Sequence, residues 1–158
     1  MLARGLAAAL LVAVADQASK LWILRLFAAH PDERTMPVLP VLNLALTWNH
    51  GMSFGLFNSS AHLNALVFTA VAALIVAGLV VWLRRVEVGL LALAIGLIIG
   101  GAIGNVADRL ARGAVVDFLD FHVGQWHFYV FNLADAAISV GVALMVLDGL
   151  LGRSRATN

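Results

Sequence analysis

Residues 63–83 read LNALVFTAVAALIVAGLVVWL and residues 88–107 read VGLLALAIGLIIGGAIGNVA, separated only by Arg84-Arg85-Val86-Glu87. Neither stretch holds an Asp, Glu, Lys or Arg. A helix needs about 20 mainly apolar residues to cross a hydrocarbon core of about 30 Å, so each stretch predicts a transmembrane helix. Working outward, Leu6 to Phe27 and Leu133 to Leu151 have the same length and apolar character. Both also carry charges, including Asp16 and Lys20 in the first and Asp135 in the fourth. The chain is 62% apolar and 12% charged over 158 residues, with a mean hydropathy of +0.95. That balance lies outside the range of soluble domains. It predicts an all-α membrane protein of four spans, a single domain over residues 1–158.

The first span has a second reading. Arg4, an apolar run and Ala13-Val14-Ala15 resemble a cleavable secretory signal. Apolar character resumes from Leu21 to Phe27, so the segment spans rather than stops short and is expected to be retained. With four spans, both termini share a side with the 84–87 turn. That side collects Arg4, Arg84, Arg85, Arg153 and Arg155 in short segments, whereas Arg34, Arg109 and Arg112 are spread through two longer ones. The positive-inside rule makes the first side cytoplasmic. A net charge of +1 with scattered basic residues gives no footprint for a nucleic acid. The absence of cysteine excludes disulfides, thiol nucleophiles and thiolate metal sites.

The long outward segments carry a strand-like pattern. Leu42, Leu44, Leu46 and Trp48 alternate with Asn43, Ala45, Thr47 and Asn49, the period of a half-buried strand. Val115 to Phe121 and Trp126 to Val130 are short, β-branched or aromatic, and bounded by glycine. A small sheet on the outer membrane surface is expected, with Trp48, Trp126 and Tyr129 at headgroup level.

Polar residues at membrane depth need partners. Asp16 and Lys20, four apart with Gln17 between them, share a helix face. Their plain reading is an ion pair; their functional reading is to brace a polar site. Gly96, Gly100 and Gly104 repeat every fourth residue, with Gly101 beside them, a pattern of close helix packing in lipid. Asn105, Asp108 and Arg109 follow at the outer end of that span, where Asp108 beside Arg109 reads as an orienting charge pair. Asn49-His50-Gly51-Met52-Ser53-Phe54-Gly55 reads as a polar turn, and no nucleophile elbow surrounds Ser53. None of the five histidines falls in a zinc-protease spacing.

Asp117 lies in the apolar run Val115-Val116-Asp117-Phe118, and Asp135 lies three residues after Asn132. The plain reading of Asn132 and Asp135 is an N-cap with an acid at the third helical position. Two carboxylates are also what an aspartic hydrolase needs: one deprotonates water while the other, protonated, polarises the carbonyl. Forced close, they share a proton. A helix start favours a charged carboxylate at Asp135, leaving Asp117 as proton carrier, although pattern alone leaves that assignment open.

Together these residues resemble the lipoprotein signal peptidase family, also called signal peptidase II. The resemblance covers nearly the whole chain in five ordered blocks: Asp16-Gln17-x-x-Lys20; Asn49-x-Gly51 with Phe54-Gly55; Gly100-Gly101-x-x-Gly104-Asn105-x-x-Asp108-Arg109; Val116-Asp117-Phe118; and Phe131-Asn132-x-Ala134-Asp135. It implies a catalytic dyad of Asp117 and Asp135, with Asp108 supporting. It implies that Asp16, Lys20, Asn49, Gly51, Asn105, Arg109 and Asn132 line or brace the site. It implies a four-helix fold with an extracytoplasmic β-cradle, in the bacterial inner membrane, with both termini cytoplasmic and the active site at the outer face. The implied substrate is a diacylglyceryl-modified prolipoprotein, cut on the amino side of the lipidated cysteine by an enzyme without cofactor or metal. Inhibition by globomycin and a monomeric state in membrane lipid are further expectations. The 48–57 segment would clamp the substrate from above. The rival from another class is a small proton-coupled transporter, since an intramembrane Asp and Lys also suit a proton relay; a third reading is an assembly subunit.

Overall fold

The computed structural model describes residues 1–51 and 61–156, with the backbone alone for 61–64 and 152–156. Readings that rest on Met52, Ser53, Phe54 and Gly55, including the outer part of the 48–57 clamp, lie outside the described residues. The elements are α1 (Leu2–Ala29), β1 (Thr35–Leu39), β2 (Leu42–Asn49), α2 (Ala61–Leu83), α3 (Gly89–Arg112), β3 (Val115–Val123), β4 (Trp126–His127) and α4 (Leu133–Ala156). All four helices are long and apolar enough to cross a membrane. α3 continues five residues beyond Ala107, so Asp108 and Arg109 belong to the helix rather than to the loop after it. It stops at Gly113, whose φ of 76° closes the end by donating its N–H to the Arg109 carbonyl.

α3 is the central helix, packed against the other three. Its small residues set how close they come. A Cβ at Gly96 would lie 2.3 Å from the Gly5 carbonyl oxygen, at Gly100 2.5 Å from that of Ala9, and at Gly104 2.4 Å from Asp16 Oδ2. The expected glycine stripe therefore seats α1 backbone on α3 backbone in parallel register. Gly101, on another face, does the same for α4, where a Cβ would meet the Ala134 carbonyl oxygen at 2.4 Å. Without a strong hydrophobic drive between helices in lipid, such close packing is a main source of association.

The strands form one antiparallel array in the order β1-β2-β3-β4. It packs on the outer end of α1, where Ile23 and Phe27 meet Leu44 and Phe118. One irregularity decides what the sheet presents. Leu42, Asn43 and Leu44 pair with Phe121, Asp120 and Leu119, but Thr47, Trp48 and Asn49 pair with Asp117, Val116 and Val115. Between Leu44 and Thr47 the register slips by one residue, a bulge on β2. Asp117 and Asp120, three apart, face opposite sides of β3, whereas Asn43 and Asn49, six apart, would share a side of a regular strand. The bulge lets Asn43 bond Asp120 at 3.1 Å and Asn49 bond Asp117 at 2.9 Å.

Gly100→Ala should lower the unfolding midpoint in detergent by the equivalent of about 1–3 kcal/mol through overpacking. Gly78→Ala, where an added Cβ meets nothing within 4 Å, should leave it unchanged or slightly raised. Equal behaviour of the two variants would contradict the close α1–α3 contact.

Candidate active site

Lys20, fully buried on α1, is the hub of the polar interior. Its Nζ lies 2.9 Å from Asp16 Oδ2 and 2.9 Å from Asp108 Oδ2, and it donates to Asn105 Oδ1 at 3.1 Å. Arg112 completes the group, 2.6 Å from Asp108 Oδ1, so two cations and two carboxylates cancel formally. Gln17 donates to Asp16, Asp108 and the Gly104 carbonyl at 3.1–3.2 Å. The Asp16–Lys20 pair is as expected. The Asp108–Arg109 pair is not: Asp108 is taken by Lys20 and Arg112, because on a helix that runs on to Arg112 the residue four positions away is the facing neighbour. Arg109 instead stacks over the Phe68 ring, 5.5 Å from its centroid.

Both hub carboxylates reach backbone. Asp16 Oδ1 accepts from the Ala134 N–H and Asp108 Oδ2 from the Val116 N–H, each at 3.0 Å. Ala134 immediately precedes Asp135, and Val116 immediately precedes Asp117.

Lys20 also fixes two amide orientations. An ammonium only donates, so Asn105 must turn its oxygen to Lys20 and its nitrogen elsewhere. That nitrogen donates to Asp135 Oδ1 at 2.8 Å. The Asn105 oxygen also accepts from Asn132 Nδ2 at 3.1 Å, and Asn132 Nδ2 uses its other proton on Asp117 Oδ1 at 2.6 Å. The Asn132 oxygen caps α4 by accepting from the Asp135 N–H at 2.9 Å, and Asp135 Oδ2 accepts from the Asn132 N–H at 3.3 Å. This is the reciprocal cap read from the sequence. It coexists with the functional reading, because one residue, Asn132, touches both aspartates.

Asp117 is 1% exposed and Asp135 is half-buried. Burial pushes the Asp117 carboxyl up to about 6; the Asn49 and Asn132 bonds pull it down and the neighbouring Asp135 charge pushes it further up. Arg109 of α3 interacts electrostatically with both. Above Asp117 opens a cavity of about 490 Å³ lined by Thr47, Trp48, Asn49, His50, Tyr129 and Val130. Gly51, next to the lining residue His50, has φ 77°, donates its N–H to Asn49 Oδ1 at 2.8 Å, and lies where any Cβ would enter the Phe68 ring. Among the described residues no three His, Asp or Glu side chains gather as a metal ion requires.

The family model for signal peptidase (SPase) II matches residues 8–151. The chain belongs to the signal peptidase II family. Lipoprotein signal peptidase of Methylorubrum extorquens (strain PA1) is 46% identical over 96% of this chain and 88% of that relative. The lipoprotein signal peptidase of Caulobacter vibrioides is 48% identical over 92% and 85%. A bacterial membrane enzyme solved by the in meso method at 2.3 Å resolution superposes with a TM-score of 0.77 at 27% identity, covering 96% of this chain and 90% of that one. Membership in the signal peptidase II family makes the protein a peptide-bond hydrolase, and with four helices long and apolar enough to cross a membrane a multi-pass protein of a bacterial inner membrane.

Three groups at or near this site escaped the sequence reading. Arg112 was legible as the partner of Asp108, four residues away. His127 contacts the buried Asp120 at 2.8 Å. Tyr129, read as a headgroup anchor, bonds Asn49; no sequence signal announces a contact 80 residues apart.

Lys20→Met should cost about 3–5 kcal/mol, because it leaves buried Asp16 without a cation and Asp108 with Arg112 alone, and unfolding in detergent measures it; wild-type stability in that variant would refute the hub. The raised Asp117 pKa makes folded-state stability decline as pH rises from about 4 to about 6, since the unfolded chain releases this proton first. The contribution is about 3 kcal/mol. Unfolding midpoints across that range should fall in wild type and flatten in Asp117→Asn; parallel curves would contradict the burial of Asp117.

Proposed function

We propose that the protein is an aspartic endopeptidase working at the outer edge of the membrane, with Asp117 and Asp135 as its dyad. Its substrate is a diacylglyceryl-modified prolipoprotein, from which it removes the signal peptide on the amino side of the lipidated cysteine. The observation that carries the reading is Asn132, which donates through Nδ2 to Asp117 and through its backbone to Asp135. It couples two carboxyl groups in different surroundings, one of which, Asp117, lines the cavity.

Asp117, dry and raised in pKa, is suited to hold the shared proton and polarise the scissile carbonyl. Asp135, half-open, is suited to deprotonate a water. The water oxygen attacks the carbonyl carbon, its proton passes to Asp135, and the carbonyl oxygen takes the proton of Asp117. Collapse of the tetrahedral species returns the Asp117 proton and delivers the Asp135 proton to the leaving nitrogen. The peptide C–N bond breaks, leaving a free carboxyl on the signal peptide and a free amino group on the cysteine.

The arginines at the short segments support cytoplasmic termini and an outward-facing site. There a substrate can enter sideways with its acyl chains still in lipid. The protein acts as a monomer, without cofactor, and is open to globomycin. The transporter reading needs Asp16 and Lys20 as an open relay, but both are fully buried and closed on one another and on Asp108.

Purified protein in detergent should cleave a diacylglyceryl-modified prolipoprotein, and Asp117→Asn and Asp135→Asn should each lose about 10²–10⁴-fold in rate while unfolding cooperatively. Normal cleavage by either folded variant would remove that residue from the dyad.

A further inference from the structure

The cavity above Asp117 has two walls, and the second is built by the link between β4 and α4. Backbone bonds pin that link at both ends. The Phe128 N–H donates to the Phe121 carbonyl at 2.7 Å, and the Phe131 N–H donates to that of Leu119 at 3.1 Å. The Phe131 carbonyl in turn accepts from Phe118 and Leu119 at 3.0 and 2.8 Å. Phe121 stacks on Phe131 with centroids 5.8 Å apart, and Phe128 meets Phe131 edge-on at 6.2 Å. Tyr129 is suspended between these anchors with its ring on the cavity wall and its hydroxyl at hydrogen-bond distance from Asn49 Nδ2.

Asn49 has two amide protons. One goes to Asp117 Oδ2 at 2.9 Å and the other to the Tyr129 hydroxyl oxygen. Its own oxygen accepts from the Gly51 N–H at 2.8 Å. With three partners in three directions the amide plane is fixed. Asn49 is the last residue of β2, so Tyr129, reaching across from the opposite wall, holds its nitrogen end in place.

We propose that Tyr129 is a positioning residue for the reaction, holding the Asn49 amide against Asp117 and so setting how strongly that carboxyl group is hydrogen-bonded. The inference rests on the dyad reading above. A hydrogen bond from Asn49 favours charged Asp117, so loosening it raises the proton affinity of that group. The other groups that face Asp117 are Asp135 and Asn132 at the start of α4, Lys20 of α1 and Arg109 of α3. Tyr129→Phe leaves these side chains in place and keeps the ring on the wall; beyond Asn49 it touches Arg109, with which Tyr129 interacts electrostatically, and the Asn49→Ala background separates the two effects. In the coupled pair, the active form carries one proton, and the higher apparent pKa marks its loss. That pKa, and with it the alkaline limb of activity, moves upward.

The test is the pH–rate profile of full-length protein in detergent on a diacylglyceryl-modified prolipoprotein, for wild type, Tyr129→Phe, Asn49→Ala and the double variant. Tyr129→Phe should lower kcat by about 2–10-fold, the worth of one hydrogen bond, with KM little changed and the alkaline limb displaced to higher pH. In the Asn49→Ala background the same substitution should do nothing further. An unmoved profile, a change in KM alone, or additive effects in the double variant would overturn the role of Tyr129 while leaving the dyad reading standing. An inert wild type, or normal cleavage by Asp117→Asn, would overturn the dyad reading and this inference with it.

Discussion

A buried ammonium governs this structure. Lys20 has no exposure on a membrane-crossing helix, and a charge in that position persists only when opposite charges and dipoles close around it. Asp16, Asp108 and the Asn105 oxygen provide that closure. The rest of the polar interior follows from the two carboxylates having oxygens to spare. One holds the backbone just before Asp135 and the other the backbone just before Asp117. The start of α4 and the start of β3 are thereby fixed to the same cluster, although they lie far apart in sequence from α1.

The same cluster explains the glycine at 104. The carboxylate of Asp16 occupies the space that a Cβ there would need. Charge pairing and helix packing are therefore one arrangement, and the glycine stripe that brings α1 onto α3 also delivers the ion pair to its partners. The amide chain that leaves Lys20 has a direction imposed by a group that can only donate. At its far end it offers donors to both aspartates, whose surroundings then differ through burial.

Much of this was legible in the residues. Two charge-free apolar runs announced the membrane fold, four-residue glycine spacing announced the close helix contact, and Asn132 with Asp135 announced the helix cap. Ordered short blocks announced the family and the residues worth watching. Other features were hidden for physical reasons. Charges that begin after Ala107 mask the end of the third span, because a helix can carry Asp108 and Arg112 at its wetter end until Gly113 stops it, and they mask with it the i,i+4 partner of Asp108. The unbroken alternation from Leu42 to Asn49 conceals the slip between Leu44 and Thr47, because side-chain polarity carries no mark of which partner residue lies opposite. Tyr129 looked like any exposed aromatic near a membrane, since its role depends on a strand end that folding alone brings to it.

That slip gives β2 something like a reading frame. Deletion of a single residue at Ala45 or Leu46 would take out the extra residue and restore a regular ladder, leaving Asn43 opposite Asp120 and Thr47 opposite Asp117, with Asn49 still on the Asp117 side. A deletion of two would leave nothing opposite Phe118 and turn one of the two polar rows over. For this stretch of chain, then, loss of one residue is absorbed and loss of two is not, and phase, rather than residue identity, is what links the hairpin to the chemistry beneath it.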